Sequence, residues 1–116
     1  MTRTLAIRDI SAGEARWEGT VEVPADLVYF EGHFVDYPVL PAVAQLEAFV
    51  LGAVAEAWPG LGRLERLTRL KFRRVIPPGA VLRLRLERSA GAVRFEIRRD
   101  DEICSSGSLH FEAPPP

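Results

Sequence analysis

The sequence contains a single cysteine and no long apolar run, and these shortages exclude several classes of protein. Cys104 alone cannot form an intramolecular disulfide, and no group of Cys and His residues has metal-ligand spacing. No apolar run approaches the ~20 residues needed to span a membrane. The 15 basic and 16 acidic side chains leave a net charge of −1, which does not favour nucleic acid or a membrane surface as a partner.

The bulk composition predicts one cytoplasmic domain. The N-terminal segment MTRTLAIRDIS lacks the apolar core and the small-residue cleavage site of a signal peptide. With 116 residues, 47% of them hydrophobic, the chain is long enough for one domain and too short for two. We therefore expect a single domain over residues 1–116. Residues 112–116, ending in APPP, are expected to form a disordered tail because proline cannot continue a ladder.

Alternation of apolar and polar residues predicts strands on both sides of one helix. The predicted strands cover residues 4–11, 15–23, 66–76, 81–88, 92–99 and 102–111. SAG at 89–91 predicts a hairpin turn. The only convincing helix runs from about Pro41 to Trp58 and is apolar on nearly every face, so it should be surrounded by protein. This order fits an α+β fold in which a curved antiparallel sheet encloses one helix.

Glu47 is the unexpected residue of that helix. At 3.6 residues per turn, Gln45, Gly52 and Glu56 form one polar stripe, and Glu47 lies on the opposite, apolar side. A carboxylate buried without partners is costly, and a raised pKa that keeps it neutral is the usual escape. A neutral carboxylic acid can donate a proton, as general acids do. A structural hydrogen bond or ion pair would explain Glu47 about equally well.

His33 makes an acid–base pair the more attractive interpretation. Alone it would be a surface residue, but its loop leads directly into the helix that carries Glu47. The N–H groups around Ala42 and Val43, at the helix start, could hold the oxygen of a carbonyl as negative charge develops on it. A base, an acid and oxyanion donors together favour proton abstraction next to a carbonyl, coupled to loss of a leaving group.

The segment GHFVDYPVLPAVAQLE resembles a motif of the 3-hydroxyacyl-[acyl-carrier-protein] dehydratases, which have the hotdog fold. That motif reads roughly G-H-F-P-x-x-P-V-x-P-G-V and is followed by an acidic residue at the same fourteen-residue interval. LKFRRVIPPGAVLRLRLE and CSSGSLHF resemble the family's later strands. The resemblance covers roughly residues 14–112, and it is strongest to the short subgroup associated with aryl polyene lipid synthesis.

The resemblance implies a homodimer in which each subunit wraps a sheet around a long central helix, with two active sites in tunnels at the interface. His33 would remove the C2 proton of a 3-hydroxyacyl thioester, and Glu47 of the other subunit would protonate the departing hydroxyl. The N–H at Ala42 would bind the thioester oxygen. The substrate would arrive on an acyl carrier protein, and the family implies no metal or other cofactor.

Two residues depart from the family motif. Val35 replaces a proline, which removes a φ restraint from the loop of His33. Ala42 replaces a glycine, and its methyl group could crowd a thioester at the helix start. Either change could lower activity or alter the substrate.

Further residues are assigned by the same resemblance and by charge. The tunnel candidates are Phe30, Phe34, Val39, Leu40 and Leu51. The basic side chains of Arg69, Lys71, Arg73 and Arg74 form a candidate dock for an acidic carrier protein, although a solvated strand face would explain them equally well. His110 and Cys104 have no evident partner and are interpreted as structural. Trp17, Phe72 and Phe95 are expected in the core.

Two other functions remain open from the sequence. The first is a hotdog acyl thioesterase, in which Glu47 would activate water. The second is a non-catalytic protein of the same fold that binds acyl chains or forms one subunit of a heterodimeric dehydratase. Val35 and Ala42 raise this second possibility.

Overall fold

The computed structural model describes residues 7–23 and 45–112. Within them lie six strands and one helix, which begins with a π-helical segment and continues as an α-helix. The elements are β1 (Ile7–Ala12), β2 (Arg16–Glu22), the π-helical segment (Gln45–Val50), α1 (Leu51–Ala57), β3 (Leu64–Phe72), β4 (Val81–Ser89), β5 (Ala92–Arg99) and β6 (Glu102–Phe111). The predicted strand and helix order is confirmed in this part of the chain.

The six strands form one sheet in the order β1-β2-β4-β5-β6-β3, with every neighbouring pair antiparallel. Strands β4, β5 and β6 follow one another through tight turns, in which Ala90 and Asp100 have φ of 54° and 55°. β3 departs from chain order because it pairs with β6 and ends the sheet. The sheet therefore has β1 at one edge and β3 at the other.

The core lies between one face of the sheet, called here the inner face, and the helix. Alternate residues of β2, β4, β5 and β6 supply the sheet side, as the period of two predicts. The buried core residues include Trp17, Val21, Leu82, Leu84, Leu86, Val93, Phe95, Ile97 and Leu109 from the strands, and Phe49, Val50, Ala53 and Val54 from the helix. Charged side chains of the same strands lie on the opposite, outer face.

Two predictions about individual residues are wrong. Phe72 was expected in the core with Trp17 and Phe95, but 41% of it is exposed because it lies on the edge strand β3. Gln45 and Glu56 were expected to share one polar stripe of the helix, but their surroundings differ, since Gln45 is only 3% exposed while Glu56 is exposed. The wider turn of the π-helical segment changes the angle between Gln45 and the residues of α1.

Glu18 is the centre of an ion-pair network on the outer face. One carboxylate oxygen accepts a hydrogen bond from Arg85 Nε at 2.7 Å, and the other accepts one from Arg83 Nη2 at 3.1 Å. Partial burial acts to raise the pKa of Glu18, but the hydrogen bonds and charges of Arg83 and Arg85 outweigh it and hold the pKa below 4.5. The network joins β2 to β4.

Glu18→Gln is expected to lower the free energy of unfolding near neutral pH by about 0.2–1 kcal/mol, the range of partly exposed ion pairs. The folded-state pKa is lowered, so the stabilisation is present above the unfolded pKa and is lost as pH falls through the folded one. Urea unfolding of both proteins, at neutral pH and at a pH low enough to protonate Glu18 of the folded wild type, measures the difference. A gap between them that stayed constant or grew on acidification would contradict the assignment.

Candidate functional site

Most of the predicted catalytic and tunnel residues fall on a segment about which the structure says nothing. Outside the described residues lie His33, Ala42, Val43, Phe30, Phe34, Val39 and Leu40. Their predicted roles stay predictions. Glu47 and Leu51 lie in the described helix. The structure gives the backbone position of residue 47, and for Leu51 it also gives the surroundings of the side chain.

Position 47 lies in the π-helical segment Gln45–Val50. π-Helical turns are rare and are frequent at functional sites. Two residues of the same segment, Phe49 and Val50, are 1% and 0% exposed and belong to the core cluster. The segment that carries Glu47 is thus fixed against the sheet by apolar packing, which is the support that a catalytic side chain needs.

An apolar pocket of about 260 Å³ lies at the carboxyl end of the helix. It is lined by Leu51, Val54, Ala55, Trp58, Pro59, Leu61, Gly62 and Phe111. The indole N–H of Trp58 donates a hydrogen bond to the carbonyl oxygen of Glu14 at 3.0 Å, which fixes the ring. Leu51 is the one predicted tunnel residue that the described part of the chain contains, and it lines this pocket.

A second pocket, called here the outer groove, has a volume of about 280 Å³ and lies on the outer face. Its lining residues are Arg69, Lys71, Arg73, Arg94, Glu96, Ile103, Ser106, Gly107 and Ser108. Three of the four predicted docking residues therefore share one groove. The fourth, Arg74, is not among the lining residues, and its Nε lies 3.1 Å from a carboxylate oxygen of Glu102.

Arg94, Ser106 and Ser108 also line the outer groove and were not predicted as members of a site. Their outward orientation could have been predicted, because these residues occupy the polar positions of β5 and β6. The alternation of polar and apolar residues could not predict that β6 pairs with β3, which places Lys71 opposite Ser106. That pairing places the basic side chains of β3 and β5 on either side of β6, whose outer face there carries the small side chains of Ser106 and Ser108.

A bulge in β3 determines which of its side chains lie on the inner face of the sheet and which lie on the outer face. The register shifts between Thr68 and Lys71, and Arg69 adopts a left-handed conformation with φ of 55°. Because of the extra residue, Leu67 lies opposite inner-face Leu109, while Lys71 lies opposite outer-face Ser106. Left-handed non-glycine residues are uncommon and costly, so this one indicates a constraint that the fold maintains.

Neither of the two residues interpreted as structural shows site chemistry. Cys104 is buried, and burial raises the pKa of its thiol, which disfavours the reactive thiolate. His110 Nε2 is 2.8 Å from the hydroxyl oxygen of Thr68 across the β3–β6 pair.

Residues 7–23 and 45–112 contain neither a metal-ligand cluster nor a membrane-spanning helix. No group of three or more His, Cys, Asp and Glu side chains there could hold a metal ion. In the same part of the chain, no helix has the length and apolar character required to cross a bilayer.

Comparison with protein families gives a match that spans most of the chain. Residues 9–108 match the ApeI-like family, described as ApeI dehydratase. The 3-hydroxyacyl-[acyl-carrier-protein] dehydratase FabZ of Alkaliphilus metalliredigens is 33% identical over 83% of this chain and 73% of its own length. The enzyme of the same name from Moorella thermoacetica is 38% identical over 90% of this chain and 80% of its own.

Solved structures confirm the predicted fold class. The dehydratase heterocomplex ApeI:P of Xenorhabdus doucetiae contains a chain that superposes with a TM-score of 0.81 at 22% identity, over 96% of this chain and 98% of that one. The pyran synthase domain from module nine of the sorangicin pathway superposes with a TM-score of 0.72 at 21% identity, over 100% of this chain and 42% of that one. At these identities the likeness shows the hotdog fold alone.

Proposed function

The chain belongs to the ApeI-like dehydratase family, and on that premise we propose that it removes water from a 3-hydroxyacyl thioester carried on acyl carrier protein. The product is a trans-2-enoyl thioester. The observation that carries the proposal is the match over residues 9–108, which includes His33 and Glu47 at the motif's spacing. We further propose that the protein works in the cytoplasm.

In the proposed mechanism, His33 takes the C2 proton of the thioester as general base. The electrons of that C–H bond form the C2–C3 double bond as the C3–O bond breaks. Glu47 acts as general acid and protonates the departing hydroxyl, which leaves as water. The N–H of Ala42 stabilises negative charge on the thioester oxygen. The elimination changes no oxidation state overall, and we propose that it uses no metal and no redox cofactor.

Mass spectrometry of a 3-hydroxyacyl carrier-protein thioester, incubated with the purified protein, tests the function. Loss of one water molecule from the thioester is the expected result. Release of free carrier thiol would instead indicate the thioesterase, and an unchanged mass would indicate a non-catalytic subunit. Saturated, aryl and polyenic acyl groups belong in the substrate panel because the ApeI-like match favours the aryl polyene subgroup.

His33→Ala and Glu47→Gln are each expected to lower kcat by about 10²–10⁴-fold, the usual contribution of a positioned acid or base. His110→Ala and Glu56→Gln are matched controls. His110 is a histidine on the outer face of β6, and Glu56 is an exposed glutamate of the same helix. Steady-state dehydration rates and circular dichroism separate catalysis from folding. A catalytic variant with a near-normal rate would refute the assigned roles.

We propose that a second copy of the chain lies against the β3 edge. Among the described residues, no strand pairs with the free side of β3. The same strand exposes Leu67 and Leu70 at 37% each and Phe72 at 41%, all on the inner-face side. An edge strand with exposed apolar side chains favours pairing with another chain. A homodimer is the simplest assembly that covers them.

Phe72→Glu is expected to shift the protein from dimer to folded monomer, because it places a charge in the proposed interface. Ile10→Glu is the matched control: Ile10 is 44% exposed and lies on β1, at the opposite edge of the sheet. Sedimentation velocity at micromolar concentration reads the outcome. A wild-type monomer, or a dimer that survives Phe72→Glu, would contradict the proposed interface.

We propose that the outer groove binds the acyl carrier protein. Four cationic side chains line the groove, and its one carboxylate, Glu96, has Oε1 3.1 Å from Nη1 of Arg98, outside the lining. The groove is therefore electropositive. Carrier proteins of this pathway are acidic, and complementary charge speeds their encounter.

Lys71→Glu combined with Arg73→Glu is expected to raise KM for the acyl carrier-protein substrate about tenfold or more while kcat changes little, since rim charges act mainly on association. Higher salt should weaken wild-type binding and narrow the difference. Arg8→Glu combined with Arg16→Glu, at two exposed arginines of β1 and β2, is the control with the same change in net charge. An equal rise in KM in both proteins would show that the groove is not the dock.

A further inference from the structure

We propose that the outer groove is a phosphate-binding site, in which the hydroxyls of Ser106 and Ser108 and the cations around them hold a phosphate group. The inference deepens the proposed carrier-protein dock by naming the chemical group that the groove recognises. It rests on that proposed function only for the source of the phosphate. The volume of about 280 Å³ corresponds to about nine water volumes of ~30 Å³ each, which is room for one or two phosphate groups.

The floor and the walls of the groove differ in side-chain length. Ser106 lies opposite Lys71 of β3 and Glu96 of β5. Ser108 lies opposite Arg94 of β5. Residues directly opposite one another in a sheet share a face. The short serines of β6 therefore form the floor, and the longer side chains of the two flanking strands, which lie ~10 Å apart, form the walls.

The cations of the walls have no carboxylate partner within the described residues. Elsewhere on the outer face, Arg83 and Arg85 share the carboxylate of Glu18. Four positive charges and one negative charge give the groove lining a net charge of +3, and its one carboxylate, Glu96, is paired with Arg98. An anion that entered the groove would supply the missing charge. The four unpaired cations are Arg69, Lys71, Arg73 and Arg94.

The hydroxyls of the floor are available to a ligand. Neither Ser106 nor Ser108 forms a side-chain hydrogen bond within the described residues, and both are only half-buried. A phosphate group presents its oxygens in three dimensions and can accept hydrogen bonds from the floor and both walls at once, whereas the two oxygens of a carboxylate lie in one plane. Guanidinium groups and hydroxyls together therefore favour phosphate over carboxylate.

The bulge of β3 adds a cation to the groove. Arg69 has a left-handed φ of 55° at the register shift and lines the groove. Thr68, the residue before it, already lies on the outer face opposite Ser108. Strict alternation would turn Arg69 to the inner face, so the bulge re-aims its side chain, as bulges beside functional sites do. A strained residue of this kind is a reason to infer a site.

Two sources could supply the phosphate. One is the phosphopantetheine arm of an acyl carrier protein, which contains a phosphate group. The other is a free phosphorylated small molecule, which would then compete with the carrier protein for the groove. Both would be recognised by the same cations and hydroxyls.

Isothermal titration calorimetry of the full chain with inorganic diphosphate, at constant ionic strength, tests the site. Ser106→Ala combined with Ser108→Ala is expected to weaken diphosphate binding at least about tenfold, because hydrogen bonds to a charged group are lost. Ser11→Ala combined with Ser89→Ala, at two exposed serines outside the groove, should keep the wild-type affinity. Citrate, whose negative charges are carboxylates, is expected to bind the wild type at least about tenfold more weakly than diphosphate.

Arg94→Gln is expected to weaken diphosphate binding about tenfold or more, because it removes a charged donor from one wall. Arg99→Gln, the same change at an exposed arginine of the same strand outside the groove, is its control. The inference is overturned by an absence of diphosphate binding, by equal affinity for citrate, or by equal affinities of Arg94→Gln and Arg99→Gln. Should the serine variant fail to fold, the arginine pair decides alone.

Carrier protein with and without its phosphopantetheine arm identifies the source. If the Ser106 and Ser108 variant binds only the armed carrier more weakly, the groove holds the phosphate of the arm. If it binds diphosphate more weakly but both carrier forms equally well, the ligand is a free phosphorylated molecule. Either result supports the phosphate site. Equal weakening of both carrier forms without loss of diphosphate affinity would overturn it. A carrier protein that never binds the groove refutes the proposed dock and leaves the diphosphate result unaffected.

Discussion

In the part of the chain that the structure describes, the sheet presents more apolar inner surface than the helix covers, and the features discussed below depend on this mismatch. Phe49, Val50 and Val54 of the helix complete the core, yet Leu70 and Phe72 on β3 stay 37% and 41% exposed. At about 25 cal/mol per Å² of buried apolar surface, covering such residues is favourable. The proposed dimer edge and the apolar pocket both lie where the helix no longer covers the inner face.

The bulge in β3 places the apolar side chains of the strand on the inner face and its basic side chains on the outer face. Without the extra residue at Arg69, the strand after Thr68 would present its apolar side chains outward and its basic ones inward. With it, Leu70 contacts the Gly107 position on the inner side, and Lys71 joins the outer groove. The left-handed conformation of Arg69 is the local cost of keeping opposite chemistries on opposite faces.

The alternation of apolar and polar residues predicted the features that depend on residues close together in the sequence. The strand positions, the hairpin at 89–91 and the burial of Trp17 and Phe95 follow from a period of two, and the motif around His33 indicated the family. Pairing between distant strands was not predictable from alternation, so the edge position of Phe72 and the membership of Arg94 in the outer groove were missed. The burial of Gln45 depends on a π-helical turn, which no composition rule signals. The meeting of His33 with Glu47 stays a prediction.

The opposite faces of β3 have a consequence for how such proteins diversify. Successive side chains of this strand lie in different surroundings, since the outward basic ones line the outer groove and the inward apolar ones form the exposed edge beside the core. Substitutions in one set leave the other nearly untouched, because a strand alternates its side chains between faces. A lineage can therefore change the surface that the outer groove presents and the apolar edge beside the core by separate mutational steps, each tolerated by the same backbone.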